Sequence, residues 1–387
     1  MNTSTRSLDF NAVLMMMADK RASDLFITAG RPPTLKIEGR FHAVGKASMS
    51  SRQARELVLG IMNQKQQKEF EQHKECNFAI NAQGIGRFRV SAFVQRDRAG
   101  MVLRRIETRI PTVEELHLPE IIKDLAMLKR GLVLFVGATG AGKSTSLAAM
   151  IGYRNHRSSG HIITLEDPIE FVHEHDRCIV TQREIGLDTE SLEVALKNTL
   201  RQAPDVILIG EIRNRNAMEY AISFAETGHL VLATLHANNA NQALDRIISF
   251  FPEDQRAQLF MDLSLNLRAI IAQQLVPHRD GKSRYAVVEV LLNTPLAADL
   301  IRKGKVHKLK ELMKQSTEQG MISFDQALVA LYNERIISYE DALKYADSAN
   351  EVRLMIKLGK SDGATLMEDS EMDSISLVED ENLYRRS

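Results

Sequence analysis

Cysteine is nearly absent: Cys76 and Cys178 are the only two in 387 residues. Lying about a hundred positions apart, they make neither a disulfide framework nor a four-cysteine metal module. No zinc is therefore expected, and a reducing, cytoplasmic setting is. Long hydrophobic runs are missing as well. No apolar stretch reaches the ~18 residues that a bilayer span requires, and the opening MNTSTRSLDF lacks the apolar core of a signal peptide. Net charge is missing too. The 50 basic residues balance 50 acidic ones, which removes any global pull toward nucleic acid or membrane. What remains is a globular profile, 44% hydrophobic and 26% charged, long enough for two or three domains.

The first hundred residues alternate short helices and strands. LDFNAVLMMMADKRASD has apolar residues at helical spacing, with Met15, Met16 and Met17 read as core packing. DLFITAGRPPTLKIEGRF reads as strand, Pro-Pro turn, strand, and SRQARELVLGIMNQKQQKEFEQH as one amphipathic helix. The alternation in CNFAINAQGIGRFRVSAFVQRDRAGMVLRRI predicts an antiparallel meander. These features make residues 1–108 an α+β domain, and 109–118, with their prolines and mixed charge, a linker.

Beyond the linker the pattern changes. Apolar runs GLVLFVG, HIITLED, DVILIGE and GHLVLATLH are separated by helical stretches, which predicts a parallel sheet buried on both faces over 119–295. Residues 296–360 read as helical. The last segment, 361–387, carries eight acidic and two basic residues and is expected to be disordered or to fold only on a partner.

Four motifs carry chemistry. Gly137-Ala138-Thr139-Gly140-Ala141-Gly142-Lys143-Ser144 is the G-x-x-x-x-G-K-[ST] phosphate loop, or Walker A, followed by Thr145 at the start of a helix-like run. Its glycines let backbone N–H groups curl around phosphate oxygens, Lys143 supplies a point charge, and the Ser144 hydroxyl suits Mg²⁺. ITLEDPIEF then places Glu166, Asp167 and Glu170 at the end of an apolar run, where an acid can orient attacking water. DVILIGEIRN ends its run in Gly210 and Glu211, so the acid expected at a magnesium strand comes one residue late and one methylene longer. Its carboxylate still reaches a Mg²⁺ hydration shell. In AETGHLVLATLHANN, His229 enters a strand and His236 leaves it beside Thr234, Asn238 and Asn239, placed to sense the γ phosphate or to touch a neighbouring subunit.

Taken together and in this order, the four motifs resemble those of the secretion ATPase superfamily that powers type II secretion and type IV pili. The resemblance runs from about residue 8 to 345 and is strongest to the pilus retraction ATPases, the PilT/PilU family. Within it the chain is most similar to the PilU branch. LAADLIRK keeps Leu300, Ile301 and Arg302 of a retraction-family element but departs on either side, Ala203 stands where PilT-like chains have an acid, and the acidic C-terminal extension is additional.

The resemblance implies a PAS-like N-terminal domain, a RecA-like P-loop domain and a hexameric ring with ATP between the two domains. It also implies Mg²⁺ at Ser144 and Glu211, water polarised by Glu170, and a nucleotide-sensing His236. Arg96, Arg98 and above all Arg104 match a region that supplies positive charge near the nucleotide. Implied partners are a PilT-like retraction ATPase and a PilC-like platform protein of the inner membrane, with the ring on the cytoplasmic side at the pilus base. The motor reading has two rivals: an accessory ring that binds ATP and assists a sister motor, and an extension ATPase, which the missing cysteines disfavour.

Overall fold

The structure, a computed structural model, describes residues 9–37, 39–106 and 109–359. The acidic segment 361–387 lies outside the described residues.

Six strands form an antiparallel sheet: β1 (Asp24–Ile27), β2 (Thr34–Ile37), β3 (Arg40–Ala43), β4 (Glu75–Ala82), β5 (Gly86–Gln95) and β6 (Arg98–Arg105), in the order β3-β2-β1-β6-β5-β4. The expected meander is β4-β5-β6. Between β5 and β6, Arg96 (φ 47) and Asp97 (φ 59) both take left-handed backbone, the two-residue turn whose twist matches paired strands. Leu25, Phe78, Phe88, Val90 and Leu103 point to one face and pack there with Phe70, Val13, Leu14 and Met17.

Two expectations need correction here. Of the three consecutive methionines only Met17 is buried; Met15 and Met16 are 48% and 37% exposed, because successive helical positions turn about 100° and cannot share one face. The single helix expected after residue 50 is two, Ser51–Gly60 and Gln64–His73. Asn63 breaks the run by adopting extended backbone and accepting from Gln66 N, while the Gln66 side chain accepts from Asn63 N. That reciprocal cap starts a new helix.

The second sheet has seven strands: β7 (Gly131–Val136), β8 (Gly160–Glu166), β9 (Cys178–Glu184), β10 (Val206–Ile209), β11 (Leu230–Leu235), β12 (Leu267–Pro277) and β13 (Arg284–Leu292). Their order is β13-β12-β7-β11-β10-β8-β9, parallel throughout except for the β12–β13 hairpin. The four apolar runs read from the sequence are β7, β8, β10 and β11. Every residue of β7, β10 and β11 is buried because helices cover both faces. Leu132, Leu134, Ile207, Ile209, Val231 and Ala233 enter one core. Their alternate neighbours Val133, Phe135, Val206, Leu208, Leu230 and Leu232 enter the other.

The helices that follow β13, from Pro295–Arg302 to Ala349–Gly359, share the first of these cores through Ile301, Leu309, Phe324, Leu328, Val352 and Ile356. Segment 109–118 is anchored as well: Val113 and Leu118 are buried in the second core, and each such side chain contributes about 1.5–3 kcal/mol.

Candidate active site

Parallel pairing decides where the motifs meet. Since β7, β8, β10 and β11 run the same way, the segments leaving their carboxyl ends gather on one edge of the sheet. Those segments are the phosphate loop after Val136, the acidic turn at Glu166, Gly210-Glu211 after Ile209, and His236 after Leu235. They surround a cavity of about 550 Å³ lined by Thr139, Gly140, Lys143, Ser144, Glu166, Asp167, Glu170, Glu211, Arg213 and His236, among others.

The loop itself is laid down by left-handed glycines, Gly140 at φ 79 and Gly142 at φ 87, ahead of the helix Lys143–Arg157. That helix begins at Lys143 after Gly142, with no side chain capping its first N–H groups. Gly137, Ala138, Ala141 and Gly142 of the loop, and Thr145 in the first turn of the helix, do not line the cavity. Lys143 Nζ donates to the carbonyls of Gly137 (2.7 Å) and Ala138 (2.9 Å). Desolvation lowers its pKa, and the charges of Glu211 and Glu170 oppose that shift.

Gly210 is required by a close approach rather than by its φ angle. A Cβ there would stand 3.0 Å from the Leu165 carbonyl oxygen and 3.2 Å from Glu166 Cα. Gly210 N donates to Leu165 O at 2.7 Å, and the Thr234 hydroxyl donates to Gly210 O. The residue is thus wedged between the ends of β8 and β11, and Glu211 is carried out to the sheet edge.

Both oxygens of the Glu211 carboxylate are engaged. Oε1 lies 3.0 Å from His236 Nε2, and Oε2 accepts from Arg213 Nε at 2.7 Å. Arg213 also reaches Asp167 Oδ2 at 3.4 Å, and its hydrogen bond to Glu211 raises its pKa. On the neighbouring strand β8, Glu166 accepts from Thr164 Oγ1 (2.6 Å) and Gln182 Nε2 (3.2 Å), while desolvation raises its pKa. Glu170 lies exposed in the cavity lining, after the cis Asp167-Pro168 peptide. His173, also in the lining, is held neutral by burial, with its pKa lowered to about 4.

Several expected residues lie elsewhere. His229 precedes β11 at its opposite end, where Nδ1 lies 3.1 Å from both Phe224 O and Thr227 Oγ1. Arg96 occupies the β5–β6 turn and Arg98 opens β6. Arg104 is also outside the lining of this cavity; its Nε donates at 2.8 Å to Asp24, a carboxylate 3% exposed on the neighbouring strand.

The sequence did not mark His173, Arg213 or Gln273, and nothing in FVHEHD distinguishes His173. Arg213 had a signal, a basic residue two positions after the strand-end acid. Gln273, on β12 behind the phosphate loop, had only the hairpin pattern of RAIIAQQLV and YAVVEVLL flanking an Asp-Gly turn.

Comparison with known proteins agrees with this geometry. The family model described as type II/IV secretion system protein matches residues 4–362. The type IV pilus ATPase PilU of Pseudomonas aeruginosa is 66% identical over 98% of this chain and 100% of its own length. PilT of the same organism, described as a type IV pilus retraction ATPase, is 40% identical over 88% of this chain and 98% of its own length. A crystal structure of the pilus retraction motor PilT with bound ADP superposes with a TM-score of 0.85 at 36% identity, covering 90% of this chain and all of that one. Among the described residues no helix is long and apolar enough to cross a membrane. With two full-length relatives and a family model spanning nearly every residue, the chain belongs to the type II/IV secretion system protein family, in its PilT/PilU branch.

Proposed function

We propose that this protein is an ATP-hydrolysing motor of type IV pilus retraction, of the PilU type. One observation carries the reading: Lys143, Glu170, Glu211 and His236, from four separate motifs, line a single cavity. In it Lys143 exchanges its two loop carbonyls for phosphate oxygens, and backbone N–H groups at the start of the helix Lys143–Arg157 complete the anion cradle. Glu170 orients the attacking water. His236, on Glu211, senses whether the terminal phosphate is present.

The donor set fits Mg²⁺. Ser144 and Glu211 offer hard oxygen ligands in the same cavity. That suits a cation whose remaining ligands are phosphate and water oxygens. Bound there, Mg²⁺ neutralises charge on the phosphates, with Ser144 and Glu211 as its protein contacts.

The proposed assembly is a homo-hexameric ring of PAS-like and RecA-like domains, with ATP between them. It works on the cytoplasmic side of the inner membrane against a PilC-like platform protein. Arg104 is assigned positive charge toward a nucleotide across a domain or subunit boundary. Two departures from the PilT pattern support reliance on a PilT-like partner: the Leu296–Lys303 segment, largely in the helix Pro295–Arg302, and Ala203, held at φ 49.

Two measurements test the reading. Lys143→Ala is expected to lose nucleotide binding, whereas Glu170→Gln keeps binding and loses phosphate release; wild-type turnover in either variant overturns the assignment. Pilus retraction in cells where this chain is the sole retraction ATPase would overturn the partner dependence.

A further inference from the structure

The phosphate loop is backed by β12, where Gln273 lies against it. Gln273 is 2% exposed on β12, one residue beyond the Ala272–Val136 pairing and therefore level with the start of the loop. Its Oε1 accepts from Ser146 Oγ at 2.8 Å, and Ser146 is itself 1% exposed. Gly137 and Gly142 are both shaped around this residue. A Cβ on Gly137 would stand 2.5 Å from the Gln273 carbonyl oxygen, and one on Gly142 would stand 2.8 Å from Gln273 Nε2. By contrast, nothing lies within 4 Å of a Cβ placed on Gly140, which lines the cavity. Two of the loop's three glycines, both at positive φ, thus also lie directly against the amide or backbone of Gln273.

We propose that Gln273 is a positioning residue for nucleotide binding: it seats the phosphate loop through Ser146, Gly137 and Gly142 without touching the nucleotide. Lys143 and Ser144 lie between two of these contacts, so their approach to the phosphates depends on a strand more than a hundred residues later in the chain. The seat is rigid because β12 is paired on both sides, with β7 and with β13. An apolar residue of similar size would fill the space but leave the Ser146 hydroxyl without its acceptor, freeing the first turn of the helix to shift.

The inference rests on the nucleotide-binding reading of the cavity, and the test separates the two. Full-length wild type, Ser146→Ala, Gln273→Leu, the double variant and Lys143→Ala are titrated with a fluorescent ATP analogue, alongside KM, kcat and thermal midpoint. Ser146→Ala and Gln273→Leu are each expected to weaken affinity and raise KM by about threefold to tenfold, the worth of one neutral hydrogen bond. Their kcat should change less than their KM, and the double variant should be no weaker than Gln273→Leu alone, since both break one contact. Ser146→Ala removes a single hydroxyl, so it reports even where Gln273→Leu fails to fold. Wild-type affinity in Ser146→Ala, with only its thermal midpoint lowered, overturns the positioning role. Wild-type affinity in Lys143→Ala overturns the nucleotide reading itself.

Discussion

His236 Nε2 lies 3.0 Å from Glu211 Oε1, joining the end of β11 to the end of β10 in the lining of the cavity. With Arg213 on the other oxygen, the Glu211 carboxylate is oriented before any ligand arrives. The adjacent strands that carry the acid and the histidine are buried throughout, so neither end shifts without disturbing the core.

Removing His236 should therefore uncouple hydrolysis from binding. His236→Ala leaves the phosphate loop intact, so ATP affinity is expected to stay within about threefold of wild type while turnover falls at least tenfold to a hundredfold, as when an oriented catalytic group is lost. Glu211→Gln should lose more, because it removes the charge as well as the contact. Phosphate release and nucleotide titration on the same preparations check both expectations, and unchanged turnover in His236→Ala would show the contact to be idle.

Gly210→Ala tests the close approach at the strand end. The added methyl meets backbone on two sides, Leu165 O at 3.0 Å and Glu166 Cα at 3.2 Å, and backbone cannot swing aside as a flexible side chain can. A loss of about 1–3 kcal/mol in stability is expected, together with reduced turnover as Glu211 and the acidic turn are pushed apart. Denaturant unfolding and phosphate release measure the two effects, and an alanine tolerated in both would mean that the edge is looser than its contacts imply.

Arg104 and Asp24 give a separable prediction. Asp24 is buried, and apart from Arg104 its carboxylate accepts from the Ser23 hydroxyl at 2.9 Å. Arg104→Ala strands that carboxylate and should destabilise the N-terminal sheet by about 1–3 kcal/mol. Asp24→Asn in the same background removes the stranded charge and should restore part of the stability. A turnover defect that persists in this stabilised double variant would be the mark of Arg104 acting on nucleotide; recovered turnover would make its role structural.

Glu289 should set a pH dependence of stability. Its side chain is 1% exposed on β13 and accepts from Ala240 N (2.8 Å) and Phe324 N (3.3 Å), the first residues of the helices Ala240–Ser249 and Phe324–Asn333. Desolvation, reinforced by Asp347 and opposed by the two N–H groups and Lys310, raises its pKa to about 7. The folded chain thus retains a proton there that the unfolded chain loses near the ordinary value of about 4.3. Stability is expected to fall as pH rises from about 4.5 to about 7, by at most about 1.4 kcal/mol per pH unit from this group. Glu289→Gln should flatten that part of the profile in denaturant unfolding at several pH values, and an unchanged slope would assign the dependence to other groups.

Much of the site was legible because its information is local. A phosphate loop is a contiguous string, and a parallel strand buried on both faces reads as a continuous apolar run whose last residue marks the ligand edge. Glu166, Glu170, Glu211 and His236 were found in this way, as the polar residues that end β8, β10 and β11 or follow them closely. Local reading failed where one residue reset the backbone, as Asn63 does between two helices, and where a run of like residues had to divide between core and solvent, as Met15, Met16 and Met17 do.

The sequence by itself determined the parallel sheet, the phosphate loop, and which acids and histidine end its strands, since each follows from residue type and spacing along the chain. Only the tertiary structure decided that Glu211 is shared between His236 and Arg213, that Arg104 pairs with Asp24, and that Gln273 accepts from Ser146, 127 residues away in the helix that follows the phosphate loop. The reason is physical: strand periodicity is encoded by neighbours in the chain, whereas partners across a sheet are set by strand order and register.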